Sequence, residues 1–388
     1  MKQAVYLDNA ATTAIDKRVL EAMTPYLAGC YGNASSLHSF GTEAKEVLDL
    51  ERTRLAKLIG VQSGEIFFTS GGTEANNLAL KGIAFANRKK GNHIIVSSIE
   101  HDCILNSCKW LEEQGFFVTY LPVDHTGLID PEFLNRCINP KTILVSVMHA
   151  NNEIGTIQLI NEIGNICNNR NVYFHTDACQ SFGKIPLDVN NSHLSLMTLN
   201  SHKIYGPKGV GALYIRKGIN IAPLLHGGGQ EGGLRSSTEN ICGIVGFVKA
   251  AELCIKEMRE EGIRETSLRK NLVAGLQEKF NGLYINGPLE NRLPGHLSFG
   301  IHGMEGETIR LLLLLDEMGI AVSAGSACSS NDKTNHASHV LQAIGLNQFE
   351  ARGAIRISMG RFTTKADIDT FLKSLELTVS RLNTIYSH

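Results

Sequence analysis

At 388 residues the chain exceeds the size at which single hydrophobic cores stop growing, so one large and one smaller unit is expected. Thirty-seven Lys and Arg against 38 Asp and Glu leave a net charge of -1 with no basic block, which argues against a nucleic-acid or membrane-surface binder and favours a small-molecule substrate. The N-terminus lacks the apolar region of a signal peptide and no run of about eighteen apolar residues occurs, so a cytoplasmic protein without a membrane segment is expected.

Residues 1–15 carry Tyr6-Leu7-Asp8-Asn9-Ala10-Ala11-Thr12-Thr13, read as a short strand and a polar turn before a helix that starts near Asp16. After a polar stretch at 32–39, apolar residues recur at helical spacing through Ala44, Val47, Leu48, Leu55 and Leu58, which predicts a helix over 42–59. From 66 onward short apolar runs alternate with helical ones. Strands are predicted at 66–69, 93–98, 117–122, 142–148, 172–175 and 194–199, with helices at 73–88, 102–114, 131–138 and 159–169. This alternation predicts an α/β fold with a mostly parallel sheet covered by helices on both faces.

The glycine-rich stretch 226–240 reads as a mobile loop that ends the large sheet. A charged helix from about 238 to 280 then leads into a second unit, with elements at 297–301, 307–317, 355–358 and 367–385. The five leucines 311–315, followed at once by Asp316 and Glu317, belong to a core helix. The division drawn is 16–260 for the large unit and 1–15 with 261–388 for a smaller α+β unit.

Ligands of open parallel sheets sit at the carboxyl ends of the strands. The residues there are Ser70-Gly71-Gly72-Thr73-Glu74, then Glu100-His101, Asn151-Asn152-Glu153, Asp177-Ala178-Cys179-Gln180, and Lys203 in Asn200-Ser201-His202-Lys203-Ile204-Tyr205-Gly206-Pro207. A lysine that follows a buried strand, lies beside a histidine and is fixed by a glycine-rich turn suits Schiff-base chemistry, which needs a partly desolvated amine. Gly71-Gly72-Thr73 between strand and helix could cup a phosphate or be a plain capped turn. Asp177 alone could be a turn aspartate, His101 a helix-start histidine and Lys203 a surface lysine. Together they match the needs of pyridoxal phosphate: a lysine for its aldehyde, an aspartate for its ring nitrogen, a stacking side chain and a phosphate cup.

Nine cysteines stand at 30, 103, 108, 137, 167, 179, 242, 254 and 328 with no Cys-x-x-Cys pair or zinc-ligand spacing, so no metal site is expected. Most read as buried or inert thiols of a reducing compartment. Cys328 differs, because Gly325-Ser326-Ala327-Cys328-Ser329-Ser330 is a poor setting for core packing.

These blocks, with Phe68-Thr69-Ser70-Gly71-Gly72-Thr73-Glu74-Ala75-Asn76-Asn77, His149-Ala150-Asn151-Asn152-Glu153-Ile154-Gly155 and Arg356-Ile357-Ser358-Met359-Gly360-Arg361, run nearly end to end. The chain resembles a cysteine desulfurase of the class V aminotransferase group, in its NifS/IscS-like branch. The resemblance implies the fold type I of pyridoxal-phosphate-dependent transferases and pyridoxal 5'-phosphate as cofactor. It implies conversion of L-cysteine to L-alanine, with the sulfur passed to Cys328 as a persulfide and on to an acceptor such as an iron-sulfur scaffold or a tRNA-thiolation enzyme.

By the same resemblance Lys203 holds the cofactor and shuttles the α-proton, while His101 stacks on its ring and helps proton transfer at the substrate thiol. Asp177 holds the ring nitrogen, and Gln180 and Asn152 lie near the ring hydroxyl. Asn152 and Arg356 engage the substrate carboxylate, a task suited to a planar guanidinium. Gly72, Thr73, Asn200, Ser201 and His202 line the phosphate, and Thr238 reaches the phosphate of the other subunit in a two-fold homodimer. Asn200 stands where many relatives have serine, Cys179 where they have threonine, Gly232 where a basic residue is frequent and Ala337 where proline is usual. Another reaction of the same fold, transamination or selenocysteine cleavage, is the alternative enzyme reading, and transaminases do not need Cys328. A non-catalytic scaffold is the alternative outside enzymes, and the presence of Lys203, Asp177, His101 and Cys328 together argues against it.

Overall fold

The computed structural model describes residues 4–324 and 337–386 of the chain. The strand β1 (Val5–Tyr6) precedes the helices α1 (Lys17–Met23), α2 (Pro25–Ala28) and α3 (Ser39–Leu58). An alternating series follows: β2 (Ile66–Thr69), α4 (Gly72–Ala86), β3 (His93–Ser97), α5 (Asp102–Glu113), β4 (Phe117–Leu121), α6 (Pro131–Cys137) and β5 (Thr142–Ser146). It continues through α7 (Ile160–Asn169), β6 (Tyr173–Asp177), β7 (Leu196–Asn200) and β8 (Gly211–Ile215). Seven strands form one sheet in the order β2-β8-β7-β6-β5-β3-β4, parallel throughout except that β8 runs antiparallel to both neighbours.

Alternate residues of these strands feed two different cores, as the two-residue strand period requires. Ile95, Val145, Phe174 and Met197 pack with Val19, Leu55 and Phe247 on one face. Ile94, Val96, Leu144 and Leu196 pack with Leu78, Ile83, Ile104 and Leu111 of α4 and α5 on the other. Both faces are therefore covered, each fully buried Leu, Ile or Phe contributing about 1.5–3 kcal/mol relative to exposure.

The 39-residue α8 (Ile241–Lys279), about 58 Å long at 1.5 Å per residue, leaves this sheet for a second core. Its first part buries Ile244, Phe247, Val248 and Ala251 in the large-sheet core. Its last part buries Leu268, Leu272 and Leu276 in the second. The boundary drawn at 260/261 thus falls inside a continuous helix. Beyond it come β9 (Leu283–Asn286), β10 (His296–Ile301), α9 (Thr308–Glu317), β11 (Ile320–Ala321) and β12 (Ser323–Ala324), then α10 (His339–Ala343), α11 (Gln348–Arg352), β13 (Ile355–Ser358) and α12 (Lys365–Tyr386). The strands β12-β13-β10-β9 form an antiparallel sheet, while β1 pairs in parallel with β11 and brings Val5 and Leu7 into the second core. Among the described residues no helix is long and apolar enough to cross a membrane.

Three expectations change. The turn after Lys203 gives way to a strand, β8, buried at all five positions between β2 and β7, because Ala212-Leu213-Tyr214-Ile215 is itself an apolar run. The stretch 226–240 is pinned: the buried carboxylate of Glu231 takes both Arg52 guanidinium nitrogens at 2.7 Å and the backbone N–H of Phe68 at 2.8 Å. Of the five leucines in α9, Leu311 and Leu315 are buried but Leu313 is 61% exposed, since five consecutive helical positions cannot share one face.

Candidate active site

A cavity of about 180 Å³ lies at the carboxyl ends of the parallel strands, lined from the large sheet by Gly72, Thr73, Asn76, His101, Cys103, Asn152, Asp177, Cys179, Asn200, His202 and Lys203. The N-terminal arm adds Ala10 and Ala11, and β13 adds Arg356. Nine of the residues expected at the site therefore share one wall. Gln180 turns instead to donate its Nε2 to the carbonyl of Ala10 at 2.9 Å and lines a neighbouring cavity of about 20 Å³. Ser201 is buried behind the turn, Thr238 is exposed and does not line the cavity, and Cys328 lies outside the described residues.

Lys203 is set by its backbone turn. Thr13 Oγ1 donates to the carbonyl of His202 at 2.9 Å and accepts the N–H of Tyr205 at 2.8 Å, so the N-terminal arm clasps the turn on both sides of the lysine. Tyr205 takes a left-handed φ of 67°, a strained conformation for a bulky residue. Its surroundings hold it there. Arg361 covers the ring at 4.5 Å, and the Tyr205 hydroxyl accepts the Arg361 N–H at 2.7 Å. The Arg361 guanidinium in turn pairs with Asp16, Glu257 and Glu261 at 2.7, 3.0 and 2.5 Å.

Asp177 ends β6. Its Oδ2 accepts Asn76 Nδ2 at 2.7 Å and its Oδ1 accepts the backbone N–H of Cys179 at 2.8 Å. Burial alone would raise its pKa, but the hydrogen bonds from Cys179 and Asn76 and the charge of Lys203 outweigh burial and hold it below the ordinary carboxylate value. The site thus keeps a buried carboxylate ready for a cationic N–H. On the same cavity, α4 begins at Gly72 after Gly71 at φ 156°, with no side chain capping its first turn, so backbone N–H groups and the helix dipole favour an anion. His202 is pushed down to about 4 by burial and then by Lys203 and Lys208, so it is neutral beside that anion position.

His101 caps α5, and burial followed by the charge of Lys203 lowers its pKa. Arg356, 2% exposed, reaches across from β13: Nη2 pairs with Asp8 at 2.8 Å and Nη1 donates to the carbonyl of Asn152 at 3.1 Å. Its Nε has no partner, and neither do Asn76 Oδ1 and Asn200 Oδ1, all buried in residues that line this cavity. Each such orphan costs about 1–3 kcal/mol unless a ligand or water answers it. A wall with an anion cup, a held carboxylate, an imidazole, a lysine and unanswered amide and guanidinium groups fits pyridoxal phosphate together with a substrate carboxylate.

Sequence reasoning did not place Asn76 and Cys103 on this wall. Asn76 lies one helical turn after Gly72 and so shares its face, a signal present in the spacing. Cys103 carries no comparable signal beyond its place two residues after the cap.

The model of the aminotransferase class-V family matches residues 5–371. A curated relative, cysteine desulfurase IscS of Dictyoglomus turgidum, is 50% identical over 385 residues, covering 99% of this chain and 97% of its own. A solved structure described as a NifS-like protein is 41% identical, covers 97% of this chain and all of its own, and superposes with a TM-score of 0.91. Another, described as SspA in complex with cysteine, is 38% identical over 92% of this chain and 99% of its own, with a TM-score of 0.81.

Proposed function

We propose, from the premise that the chain belongs to the aminotransferase class-V family as a cysteine desulfurase of the NifS/IscS-like branch, that its cavity binds pyridoxal 5'-phosphate and L-cysteine and that Cys328 takes up the sulfur. The observation that carries the assignment of roles is that Lys203, Asp177, His101 and Arg356, drawn from both cores, meet on one cavity. Gly72, Thr73, Asn200 and His202 would hold the phosphate, Asp177 the ring nitrogen, Asn152 the ring hydroxyl, and Lys203 the aldehyde carbon, while Ser201 and Gln180, which do not line this cavity, would support it from behind. When bound, the cofactor supplies an electron sink for the substrate α-carbon.

The chain's own groups do the rest. Arg356, anchored by Asp8 and by the carbonyl of Asn152, orients the substrate carboxylate. Lys203 Nζ would take the α-proton, and His101, on the same cavity, would stack on the ring and assist proton transfer at the substrate thiol. The Cys328 thiolate attacks the substrate sulfur: an S–S bond forms as the C–S bond breaks, and the electron pair left on carbon takes a proton to complete L-alanine. The persulfide then passes its outer sulfur to a thiol acceptor, an iron-sulfur scaffold or a tRNA-thiolation enzyme.

A homodimer in the cytoplasm completes the reading. Leu27, Tyr31, Leu37 and Phe40 are 63%, 74%, 101% and 48% exposed within fourteen consecutive residues, an apolar cluster suited to a second copy. Thr238, off its own cavity, would serve the phosphate of that copy. The test is direct: purified protein with cofactor, L-cysteine and a thiol reductant should release alanine and sulfide in equal amounts. Alanine without sulfide, or transfer of an amino group to a keto acid, would overturn the reading.

A further inference from the structure

The Nδ1 of His101 accepts the backbone N–H of Cys103 at 3.2 Å, the cap of α5. A ring nitrogen that accepts an N–H carries no hydrogen of its own, so the neutral ring carries its hydrogen on Nε2. The Cys103 Sγ stands 3.2 Å from the same Nδ1. Burial, with the charge of Asp177 next, pushes this thiol up to about 12, so it keeps its hydrogen at neutral pH and can give it to Nδ1. Sγ accepts Asn76 Nδ2 at 3.3 Å, and the same nitrogen donates to Asp177 at 2.7 Å.

The ends of this chain constrain the groups between them. The Asp177 carboxylate can only accept, the Asn76 amide has two hydrogens to give, and Nδ1 already accepts from the backbone. The thiol in between also meets the Thr73 hydroxyl, and with Asn76 and Thr73 donating to it, its own hydrogen goes to His101. We propose that the Cys103 side chain is a positioning residue that reinforces the tautomer set by its own backbone N–H, stabilising the neutral His101 ring that offers Nε2–H to the cavity as a hydrogen-bond donor.

The inference deepens the desulfurase reading and rests on it for the nature of the substrate. A donor beside the substrate sulfur favours the thiolate over the thiol. Because Nε2 has no free lone pair in this tautomer, proton exchange between His101 and the sulfur requires the cap on Nδ1 to open first. The charged and titratable groups that act on His101 are Lys203 from the turn after β7, Asp177 from β6, Asp102 on its own helix and His339 from α10. Substituting Cys103 leaves all four in place.

The test needs no turnover. Apoprotein carrying isotope-labelled histidine is examined by long-range proton–nitrogen NMR, with His101→Gln identifying the resonances. The wild type should show the Nε2–H form. Cys103→Ala should raise the titration midpoint of His101 by about half a unit, because a donor that stabilises the neutral ring is lost. Cys103→Ser should titrate at or below the wild type, since its hydroxyl takes both roles of the thiol. An Nδ1–H form in the wild type, or equal midpoints for the alanine and serine variants, would overturn the inference. Should Cys103→Ala fail to fold, Cys103→Val, which also lacks a donor, is titrated in its place, with the same rise expected and a midpoint equal to that of Cys103→Ser overturning the inference. Alanine and sulfide release by the loaded enzyme tests the desulfurase reading separately.

Discussion

Replacing Gly72 with alanine tests how closely the anion cup is built against Cys179. A Cβ at Gly72 would stand 2.6 Å from Cys179 Sγ, whereas Asn200 Nδ2 and Cβ would lie at ordinary contact distances of 3.7 and 3.8 Å. The sulfur has little room to yield, because Cys179 is 7% exposed and its thiol also serves Asp177. Either the first turn of α4 shifts or the thiol turns away. Overpacking of this kind costs about 1–3 kcal/mol. Charged to cofactor binding, that is a loss of about 5- to 150-fold in affinity. Cys179→Ala removes the obstruction and by itself forfeits one hydrogen bond to Asp177, about 0.5–1.5 kcal/mol. The double variant should therefore bind cofactor within a few-fold of Cys179→Ala, giving a coupling of about 1–3 kcal/mol in a double-mutant cycle. Titration of apoprotein with pyridoxal phosphate, followed by absorbance, supplies all four constants. If Gly72→Ala binds as the wild type does, or the double variant binds no better than Gly72→Ala, the packing argument fails.

Borohydride reduction of the loaded protein followed by digestion should place the pyridoxyl group on Lys203, and Lys203→Ala should fold but carry no adduct; an adduct on Lys208 would displace the assignment. Cys328→Ser should bind L-cysteine with a change in the cofactor spectrum yet lose sulfide release by orders of magnitude, because a hydroxyl cannot replace a thiolate as nucleophile toward sulfur; unchanged sulfide release would refute that role. Glu231→Ala should destabilise the apoprotein by about 3–5 kcal/mol in urea unfolding, since it leaves the Arg52 charge and the Phe68 N–H without their buried partner; a change below about 1 kcal/mol would show that the loop contributes little. Burial pushes Glu100 up to about 8, so the folded state binds a proton that the unfolded state has released, and stability should fall as pH rises from about 4.5 through about 8. Glu100→Gln should flatten that slope, and an unaltered slope would assign it to other groups.

The sheet was legible because its signal is local. Each predicted strand from 66 to 199 is a largely apolar run, and the structure puts a strand at each, with ends shifted by up to two residues. β8 was obscured because Gly209 and Gly211 end the lysine turn and start the strand at once, and antiparallel entry between β2 and β7 leaves no local trace. The site was legible where chemistry is carried by a residue type at a strand end, as at Asp177 and Lys203. It was not legible where function lies in a contact between distant segments. The clasp of Thr13 on the turn around Lys203 joins residues nearly two hundred positions apart, and the Asn76 bridge between Asp177 and Cys103 joins three elements. Glu231 shows the converse, since a glycine-rich run advertises freedom while one buried carboxylate removes it.

The hold of Arg361 on Tyr205 has a consequence for how the protein is made. The left-handed residue two positions after Lys203 is secured by a side chain from the far end of the second core. At about 5–20 residues per second, the roughly 160 residues between Lys203 and Arg361 take about 8–30 s to synthesise. During that interval the large sheet can form around a lysine whose turn is not yet secured. Cofactor capture should therefore come late on the ribosome, after β13 has emerged, and chains arrested before Arg361 should fold their first sheet and stay colourless.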